Sequence, residues 1–512
     1  MKMIFNYKRV LLLFFYFLIA LTSVVFAQKT DQKLFAVVDV IVEDTTMIHS
    51  DSLEFMMSKD NINSNSEHNM AYYPLKMTAL KTRMIIPLAN PITYGRIALE
   101  NNIYSPFKQL NHGNDLFIFQ AGDTLELHIP RHPKGILLRG KDVFFTGKDA
   151  EKYNCMYKIG KISDGINNDK FNAFGELKNY KAAYASLLYS RDSLYNLQLG
   201  ILNEYKNKLK PEIYNLIKID CWATCNNLIV GFCYGAFNGD PNEQYEEAAR
   251  HFFLKYYANY KEIHFRDSIL LVKSYNYGDF LNLRNHVYPE IMSEKIKGHR
   301  NVTFADINSV INSHYQNGIL KDKLRLLALL DLNWKKEGDF TDYIDLAIKE
   351  AGNNAFKTAM MEIKDSLAIG GNAFPFNMPD KNGKIYSLKD FKGKLLVIDF
   401  WFTGCHGCLN MAETLKPIAA FYKSNPNVVF ATISIDWNKD GWLKSLQSEK
   451  YCSDDEINLL EGIRGQSSFV KHYHINEYPT LLIISKEGKV LSVTPPDPSN
   501  TEVFKQFLNQ FL

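Results

Sequence analysis

The most constraining feature of the sequence is a short apolar segment that ends at a glycine and continues as a helical pattern. Leu395 to Phe402 (LLVIDFWF) is almost continuously apolar, as expected for a strand that is buried on both faces. Gly404 interrupts this run, and apolar residues then recur at helical spacing from Cys408 to Tyr422. A buried strand that leads directly into a helix is typical of an α/β domain. We therefore expect an α/β fold in the C-terminal third of the chain.

Further patterns in the same region fit this fold. Asn377 to Leu388 predicts a hairpin that turns at Asn382-Gly383, and Val428 to Ile435 predicts a second buried strand. Another hairpin is expected from Thr480 to Ser485 and Lys489 to Val493. A capping box and an apolar face predict a terminal helix, and the residues concerned are Ser499, Glu502, Val503, Phe504, Phe507, Leu508 and Phe511.

Two cysteines lie between the predicted strand and the first turn of the predicted helix. Cys405 and Cys408 are the pair with two-residue spacing, in the segment Cys-His-Gly-Cys. The unpaired N–H groups of a helix N-terminus stabilise an anion, so we expect Cys405 to have a depressed pKa and to react as a thiolate. Cys408, one turn later, is placed to resolve a mixed disulfide. A protonated His406 would stabilise the thiolate further.

Three other interpretations of this motif compete with redox exchange. A zinc site needs a second pair of ligands, and Cys452 with His472 or His474 is too irregular to supply it. A structural disulfide would close a two-residue loop, which removes almost no chain entropy. A peroxidatic cysteine requires a preceding proline. Thr403 stands two residues before Cys405, but no proline precedes Cys405 nearby. We favour redox catalysis by the pair.

The other five cysteines are scattered, and seven in 512 residues are too few for a disulfide-stapled scaffold. They are Cys155, Cys221, Cys225, Cys233 and Cys452. The spacing of Cys221, Cys225 and Cys233 puts them on one helical face, which could suggest a metal or redox cluster. Their neighbours are apolar, so we interpret them as small buried hydrophobes. We expect no metal and no cofactor.

The first 27 residues have the pattern of a secretory signal peptide. Lys2, Lys8 and Arg9 precede an apolar run from Val10 to Ala20, and small residues suited to cleavage end at Ala27. The alternative is a retained membrane anchor, since the apolar character continues almost to Ala27. Either form places the protein in the periplasm or cell envelope. The net charge of +3 gives no reason to expect a nucleic-acid partner.

Residues 28–147 are predicted to form an antiparallel β-sandwich. Lys33 to Val42, Arg83 to Leu88 and Gly95 to Leu99 are short runs rich in β-formers. Leu116 to Ile129 is expected to be a hairpin with Gly122-Asp123 as its turn. No cluster in this segment suggests catalysis. We therefore expect the segment to serve in docking or as a spacer.

Residues 148–367 are predicted to form an all-α domain, and residues 368–512 complete the chain as the α/β domain. Helical stripes occur in Lys321 to Leu332 and in Tyr343 to Ile348. Another stripe, which Pro211 interrupts, is Leu194, Leu197, Ile201, Tyr205 and Leu209.

The C-terminal motifs resemble those of the thioredoxin superfamily. The segment Val397 to Cys408 and the later Tyr478-Pro479-Thr480 are similar to its active-site motif and its cis-proline loop. The signal sequence, together with Phe374-Pro375-Phe376 through Phe391-Lys392-Gly393-Lys394, resembles the periplasmic TlpA/ResA-like disulfide reductases. The resemblance covers about 372–512. The three-part layout also resembles TlpA-like proteins of the Bacteroidetes envelope.

The resemblance implies roles for individual residues. Asp399 is implied to be a buried acid that relays a proton to Cys408, with a pKa that burial raises; an ordinary water-bonded strand aspartate is the alternative. Pro479 is implied to be a cis-proline beside the nucleophile. The aromatic Trp401 is implied to pack beside the site, with plain core packing as its alternative. We expect substrate to contact Trp401, His406, Tyr478 and Pro479.

The sequence departs from the family pattern at three positions. Gly404 stands where a tryptophan usually precedes the first cysteine, and Gly407 stands where a proline usually precedes the second. We expect both changes to loosen the site, so that neither the redox potential nor the direction of exchange follows from the motif. The usual kink proline is also displaced, because Glu413 is at its position and Pro417 follows four residues later.

Two functions are compatible with these sequence features. The first is a thiol–disulfide oxidoreductase of the envelope that reduces the disulfides of exported proteins and receives electrons from another envelope protein. The second is a non-catalytic binding or scaffold protein in which the thioredoxin-like fold only supports a surface. A membrane tether is expected if the signal segment stays uncleaved.

Overall fold

The computed structural model describes residues 34–43, 52–58, 70–99, 116–130, 143–174, 180–238, 243–258, 268–292, 302–331, 340–352, 354–367, 369–436, 438–462, 465, 467–473, 475 and 477–512. The signal segment of residues 1–27 lies outside this set and stays a prediction. No helix among the described residues combines the length and apolar character needed to cross a membrane.

The described residues up to Thr146 form two four-stranded sheets. The strands are β1 (Phe35–Val42), β2 (Ser52–Ser58), β3 (Met70–Lys76), β4 (Lys81–Pro87), β5 (Ile92–Leu99), β6 (Phe117–Gln120), β7 (Thr124–Ile129) and β8 (Phe144–Thr146). One sheet has the order β4-β1-β7-β8 and the other β3-β2-β5-β6. Their apolar faces share one core, in which Val38 and Leu127 of the first sheet lie in the same cluster as Phe55 and Phe119 of the second.

Two details of the predicted β region are wrong. The turn at Gly122, where φ is +85°, does not join a hairpin, because β6 pairs with β5 whereas β7 pairs with β1 and β8. The chain therefore crosses from one sheet to the other at this glycine. The sheets are also not purely antiparallel, since β1 and β7 run parallel with Val38 opposite Leu125.

The next described segment contains helices. They are α1 (Ala150–Phe174), α2 (Tyr180–Glu204), α3 (Pro211–Asn238), α4 (Glu243–Tyr256), α5 (Ser268–Lys273), α6 (Tyr275–Met292), α7 (Phe304–His314), α8 (Gly318–Asp331), α9 (Phe340–Glu350) and α10 (Ala355–Leu367). Pro211 is the first residue of α3, where a missing N–H costs no helical bond. Leu197, in the predicted helical stripe, is 50% exposed, so the stripe is not buried along its whole length.

Contacts join these parts of the chain. Tyr94 of β5 donates a 2.7 Å hydrogen bond to Asp220 of α3, and an apolar cluster from strands and helices surrounds the pair. Burial raises the pKa of Asp220 to about 6. Val493, near the C-terminus, packs against the main core of the helices.

The C-terminal segment forms a five-stranded sheet with helices. Its elements are β9 (Asn377–Pro379), β10 (Ile385–Ser387), a 3₁₀ helix (Leu388–Phe391), β11 (Leu395–Trp401), α11 (His406–Tyr422), β12 (Val428–Ser434), α12 (Lys439–Gln447), β13 (Ile457–Leu460), α13 (Ser468–His472), β14 (Thr480–Ile484), β15 (Val490–Ser492) and α14 (Thr501–Asn509). The sheet order is β13-β12-β11-β14-β15, and β9 pairs with β10 as the predicted hairpin. The first three strands of the sheet are parallel, and β14 and β15 are antiparallel to their neighbours.

The central strand β11 is buried on both faces, as its sequence predicts. Leu395 and Val397 pack against α11 and α14, whereas Leu396 and Ile398 face the opposite layer, which includes α13. The cap of the last helix is one residue later than predicted. Asn500, rather than Ser499, accepts the N–H of Val503.

Candidate redox site

The cysteine pair lies at the junction between β11 and α11. Cys405 and Cys408 are joined by a disulfide, and Cys405 is the N-cap residue of the helix. The Cys408 backbone N–H donates to Cys405 Sγ over 3.1 Å. A helix N-terminus stabilises negative charge on an atom held in this position, so the reduced Cys405 sulfur would be favoured as a thiolate.

The loop that precedes Cys405 is held by contacts from distant segments. The Thr403 N–H donates to Asp436 over 3.0 Å and the Thr403 hydroxyl donates to Asp436 over 2.7 Å. The Thr403 hydroxyl also lies 2.8 Å from the Ser445 hydroxyl. The Gly404 N–H donates to the Tyr451 hydroxyl over 2.9 Å. These contacts hold the backbone around Gly404 from outside the motif, and the looser site expected from this glycine stays a prediction.

Both glycines of the motif have a structural reason. Gly404 has a φ of +96°, a conformation that side chains with a Cβ rarely adopt. Gly407 lies against the proline loop, and a Cβ at Gly407 would meet Pro479 Cδ at 3.1 Å. The Tyr478–Pro479 bond is cis, as expected, and the Tyr478 carbonyl oxygen lies 3.8 Å from Cys405 Sγ.

Asp399 lies on β11, six positions before Cys405. The residue is 3% exposed, and burial first, with the charge of Glu456 second, raises its pKa well above 3.8. Its neighbours on the same strand face are Val397, which packs under α11, and Trp401, which shares a cluster with both cysteines. Asp399 is therefore an enclosed carboxyl on the face that α11 and its buried Cys408 cover.

The comparison with known families bears directly on this domain. A thioredoxin-like family model matches residues 393–490, which include the cysteine pair, Asp399 and Pro479. The C-terminal domain is thioredoxin-like.

Relatives of the thioredoxin-like domain carry related names. ResA, a thiol-disulfide oxidoreductase of Bacillus thuringiensis subsp. konkukian, is 26% identical over 128 residues, which are 25% of this chain and 70% of ResA. Two solved Bacteroides structures are also similar. A thiol:disulfide interchange protein is 26% identical with a TM-score of 0.25, and the match covers 28% of this chain and 92% of that protein. The thioredoxin domain of a Bacteroides vulgatus thiol-disulfide oxidoreductase is 23% identical with a TM-score of 0.26. That match covers 28% of this chain and 99% of the solved domain.

One predicted substrate contact of the thioredoxin-like domain is wrong. Trp401 is fully buried, because Tyr451 stacks on its ring at a centroid distance of 4.9 Å and Trp442 lies in the same cluster. It cannot touch a substrate in this arrangement. His406 is exposed, and Tyr478 and Pro479 are half-buried, so these three can be reached from solvent.

The helix behind the site is continuous. Pro417 lies inside α11, which runs from His406 to Tyr422 without ending there. Displacement of the family's proline therefore leaves the helix intact.

The remaining cysteines do not join the redox pair. Each of the five is buried and free, and burial raises the pKa of Cys155, Cys225, Cys233 and Cys452 to about 12. No group of His, Cys, Asp and Glu among the described residues could hold a metal ion. His474, considered above as a zinc ligand, lies outside those residues.

Sequence reasoning missed three residues that hold the site. Asp436, Ser445 and Tyr451 lie 33, 42 and 47 positions after the residues that they contact. One signal was available for Asp436, because it comes directly after the predicted strand Val428 to Ile435. Parallel strands end at the same edge of a sheet, so a polar residue there comes close to the end of β11.

Proposed function

We propose that this chain is an envelope thiol–disulfide oxidoreductase that reduces the disulfides of exported proteins through Cys405 and Cys408. The observation that supports it best is the hydrogen bond from the Cys408 N–H to Cys405 Sγ at the start of α11. It places the sulfur of the first cysteine where a helix stabilises a thiolate. The name of the relative ResA agrees with this chemistry.

The first step is attack by the reduced Cys405. Its thiolate forms a bond to one sulfur of the substrate disulfide, and the other substrate sulfur leaves as a thiolate that takes a proton from water. The proline loop lies beside this sulfur, since the Tyr478 carbonyl is 3.8 Å from Cys405 Sγ. A substrate segment can pair with this loop while its sulfur is attacked.

The second step releases the reduced substrate. Cys408 gives its proton to the Asp399 carboxylate, and the Cys408 thiolate attacks Cys405 Sγ. The intramolecular disulfide forms, and the second substrate sulfur leaves as a thiolate. The structure has this oxidised form of the pair. A dithiol protein of the envelope then reduces the pair for the next cycle.

In this proposal, the other parts of the chain place the thioredoxin-like domain in the envelope. Residues 1–27 direct export, and they tether the chain to the membrane if they are retained. The β-sandwich of residues 28–147 and the all-α domain of residues 148–367 hold the thioredoxin-like domain of residues 368–512 at a distance from the envelope surface or dock a partner.

Trapping of client proteins tests the proposal. A full-length Cys408→Ala variant expressed in the envelope should accumulate mixed disulfides with exported proteins on Cys405, because the second step is blocked. The matched Cys405→Ala variant should trap none. The wild-type chain should also reduce insulin disulfides. A folded chain that neither traps clients nor reduces insulin would support the scaffold function instead.

A further inference from the structure

Asp399 is enclosed, so burial is the first cause of its raised pKa and a nearby charge can raise it further. Its Oδ1 atom has no hydrogen-bond partner among the described residues. Val397 and Trp401 lie on either side of it along the covered face of β11, and both are buried. Any group that changes the proton affinity of Asp399 also changes its ability to take the proton of Cys408.

A row of polar side chains leads from Asp399 across the sheet. Asp399 is in register with Thr432 of β12, and Thr432 is in register with Asn458 of β13. Residues that pair in this way point to the same face of a sheet. The Thr432 hydroxyl donates to Asn458 Oδ1 over 2.8 Å. The row therefore connects the region around Asp399 to the edge strand.

Glu456 stands at the end of this row. It directly precedes β13, and the Asn458 side-chain amide donates to the Glu456 carbonyl over 3.3 Å. Its carboxylate accepts the Ser453 N–H over 2.6 Å and the Ser453 hydroxyl over 3.0 Å. The Asn458 amide in turn donates to the Ser453 carbonyl over 2.9 Å. Glu456 is thus a half-buried carboxylate that is fixed to the polar row.

We propose that Glu456 is a positioning residue that sets the proton affinity of Asp399, and thereby the pH at which Cys408 can be deprotonated. This inference rests on the function proposed above. A negative charge on Glu456 disfavours a second negative charge at the other end of the polar row, so it helps to keep the proton on Asp399. Asp399 then accepts the proton of Cys408 only at a higher pH than it would alone.

Other charged groups near the row do not replace Glu456. The Cys452 thiol is buried beside it with a pKa raised to about 12, so it is neutral at physiological pH. Burial raises the pKa of Glu456, whereas the hydrogen bonds from Ser453 and the charge of Lys416 on α11 act in the opposite direction and favour its ionised form. The Lys416 ammonium itself is held by the backbone carbonyls of Glu449 and Lys450.

The two neighbouring carboxylates are engaged elsewhere. Asp454 pairs with Lys381 over 3.0 Å, and its side chain is 77% exposed. Asp455 pairs with Lys423 over 2.5 Å. Asp454 is therefore a matched control, because it carries the same charge on the same loop but faces solvent.

Stopped-flow reaction of the reduced full chain with Ellman's reagent separates the two steps of exchange. The first coloured thiolate is released when Cys405 attacks the reagent, and the second is released when Cys408 resolves the mixed disulfide. The rate of the second phase should rise with pH as Asp399 ionises. In Glu456→Gln the midpoint of that rise should move to lower pH, on the order of one unit. The first phase should be unchanged.

Three controls decide how Glu456 acts. Asp454→Asn should leave the first phase and the pH midpoint of the second phase unchanged. Ser453→Ala weakens the turn but keeps the Glu456 charge, so its midpoint should stay at the wild-type value. In an Asp399→Asn background, Glu456→Gln should cause no further shift, because the group through which it acts is gone.

Two results would overturn the inference. One is a Glu456→Gln midpoint equal to that of wild type, and the other is a shift that Ser453→Ala reproduces. A wild-type chain without a second phase would instead count against the proposed function itself. Failure of the inference can thus be told apart from failure of the function.

Discussion

The backbone N–H of Gly404 donates a 2.9 Å hydrogen bond to the hydroxyl of Tyr451, forty-seven positions later in the chain. The Tyr451 ring also stacks on Trp401, with the ring planes 8° apart. One side chain therefore fixes both the end of β11 and the residue before Cys405. A glycine before the first cysteine is compatible with an ordered site because this contact comes from outside the motif.

Replacement of Tyr451 by phenylalanine should remove the hydrogen bond and keep the ring stack. Gly404 is exposed and water can take the place of the hydroxyl, so we expect the free energy of unfolding to fall by about 1 kcal/mol. The first phase with Ellman's reagent should slow because the Cys405 loop is less well held. Tyr473→Phe is the control. The Tyr473 hydroxyl accepts a 2.8 Å hydrogen bond from the Phe374 N–H, and this contact does not involve the motif. Equal first-phase rates in both variants would contradict a role for Tyr451 at the site.

Replacement of Gly407 by alanine should disturb the proline loop. The added Cβ would meet Pro479 Cδ at 3.1 Å, so the loop must move away from the cysteine pair. The better helix propensity of alanine offsets part of this cost, and we expect the free energy of unfolding to change by less than about 1 kcal/mol. Reduction of insulin should fall more than reduction of Ellman's reagent, because a protein substrate needs the loop.

Gly441→Ala supplies the comparison for Gly407. A Cβ at Gly441 meets its nearest neighbours at 3.6 Å or more, which is ordinary contact. It should therefore leave insulin reduction unchanged. If Gly407→Ala reduced insulin as fast as Gly441→Ala, the close approach of the proline loop would have no part in exchange.

Asp399 should make the stability of the oxidised protein depend on pH. Burial raises its folded pKa well above 3.8, so between 3.8 and that raised value the native state holds a proton that the unfolded chain releases. Stability then falls as pH rises through this window. Asp399→Asn cannot ionise and should become progressively more stable relative to wild type as pH rises. Urea denaturation at a series of pH values measures the difference.

Asp390 provides a control of opposite sign. Its pKa is lowered, chiefly because the Ser387 N–H and hydroxyl donate to its carboxylate. Asp390→Asn should therefore be less stable than wild type at neutral pH, and the deficit should vanish on acidification. A difference between Asp399→Asn and wild type that is the same at every pH would show that Asp399 does not carry the raised pKa.

The five free cysteines should be inert in the native state. A thiol with a pKa of about 12 is ionised in roughly one molecule in 100,000 at pH 7, and these side chains are also buried. Iodoacetamide should therefore label Cys405 of the reduced chain first, and should reach Cys155, Cys221, Cys225, Cys233 and Cys452 only after unfolding. A variant with alanine at all five should keep its reductase activity while losing stability from removed core volume. Loss of turnover in a folded variant would reveal a second redox pair.

Local patterns were sufficient for the elements that carry the cysteines. β11 was predictable because seven consecutive buried residues leave few alternatives to a central strand, and α11 because its apolar residues repeat at helical spacing. The hairpin predicted at Gly122 failed for a physical reason. An apolar alternation on both sides of a glycine turn fits a hairpin and a crossing between two sheets equally well, and only the remote partners β1 and β5 decide which one forms.

The supports of the site could not be predicted in the same way. Tyr451 binds the backbone beside the motif from a loop whose sequence has no signature of that contact, whereas the position of Asp436 directly after a predicted strand was the one available signal. The contact of Trp401 with substrate is expected because this residue matches the family's aromatic beside the site, but the structure buries it in a cluster with both cysteines, as in the alternative of plain core packing. Its burial depends on Tyr451, which stacks on its ring, and on Trp442, which lies in the same cluster. Both residues come more than forty positions later in the chain, so no local pattern around Trp401 reveals them.

The rate at which Cys405 is alkylated, measured against pH, tests most directly whether this residue is the nucleophile. The measurement uses the reduced full chain with Cys408→Ser, so that Cys405 is the remaining thiol of the pair at the start of α11. We predict a midpoint clearly below the value of about 8.5 for a free cysteine, because the helix N-terminus and the backbone N–H of residue 408 stabilise the thiolate. A midpoint at or above about 8.5 would contradict this prediction.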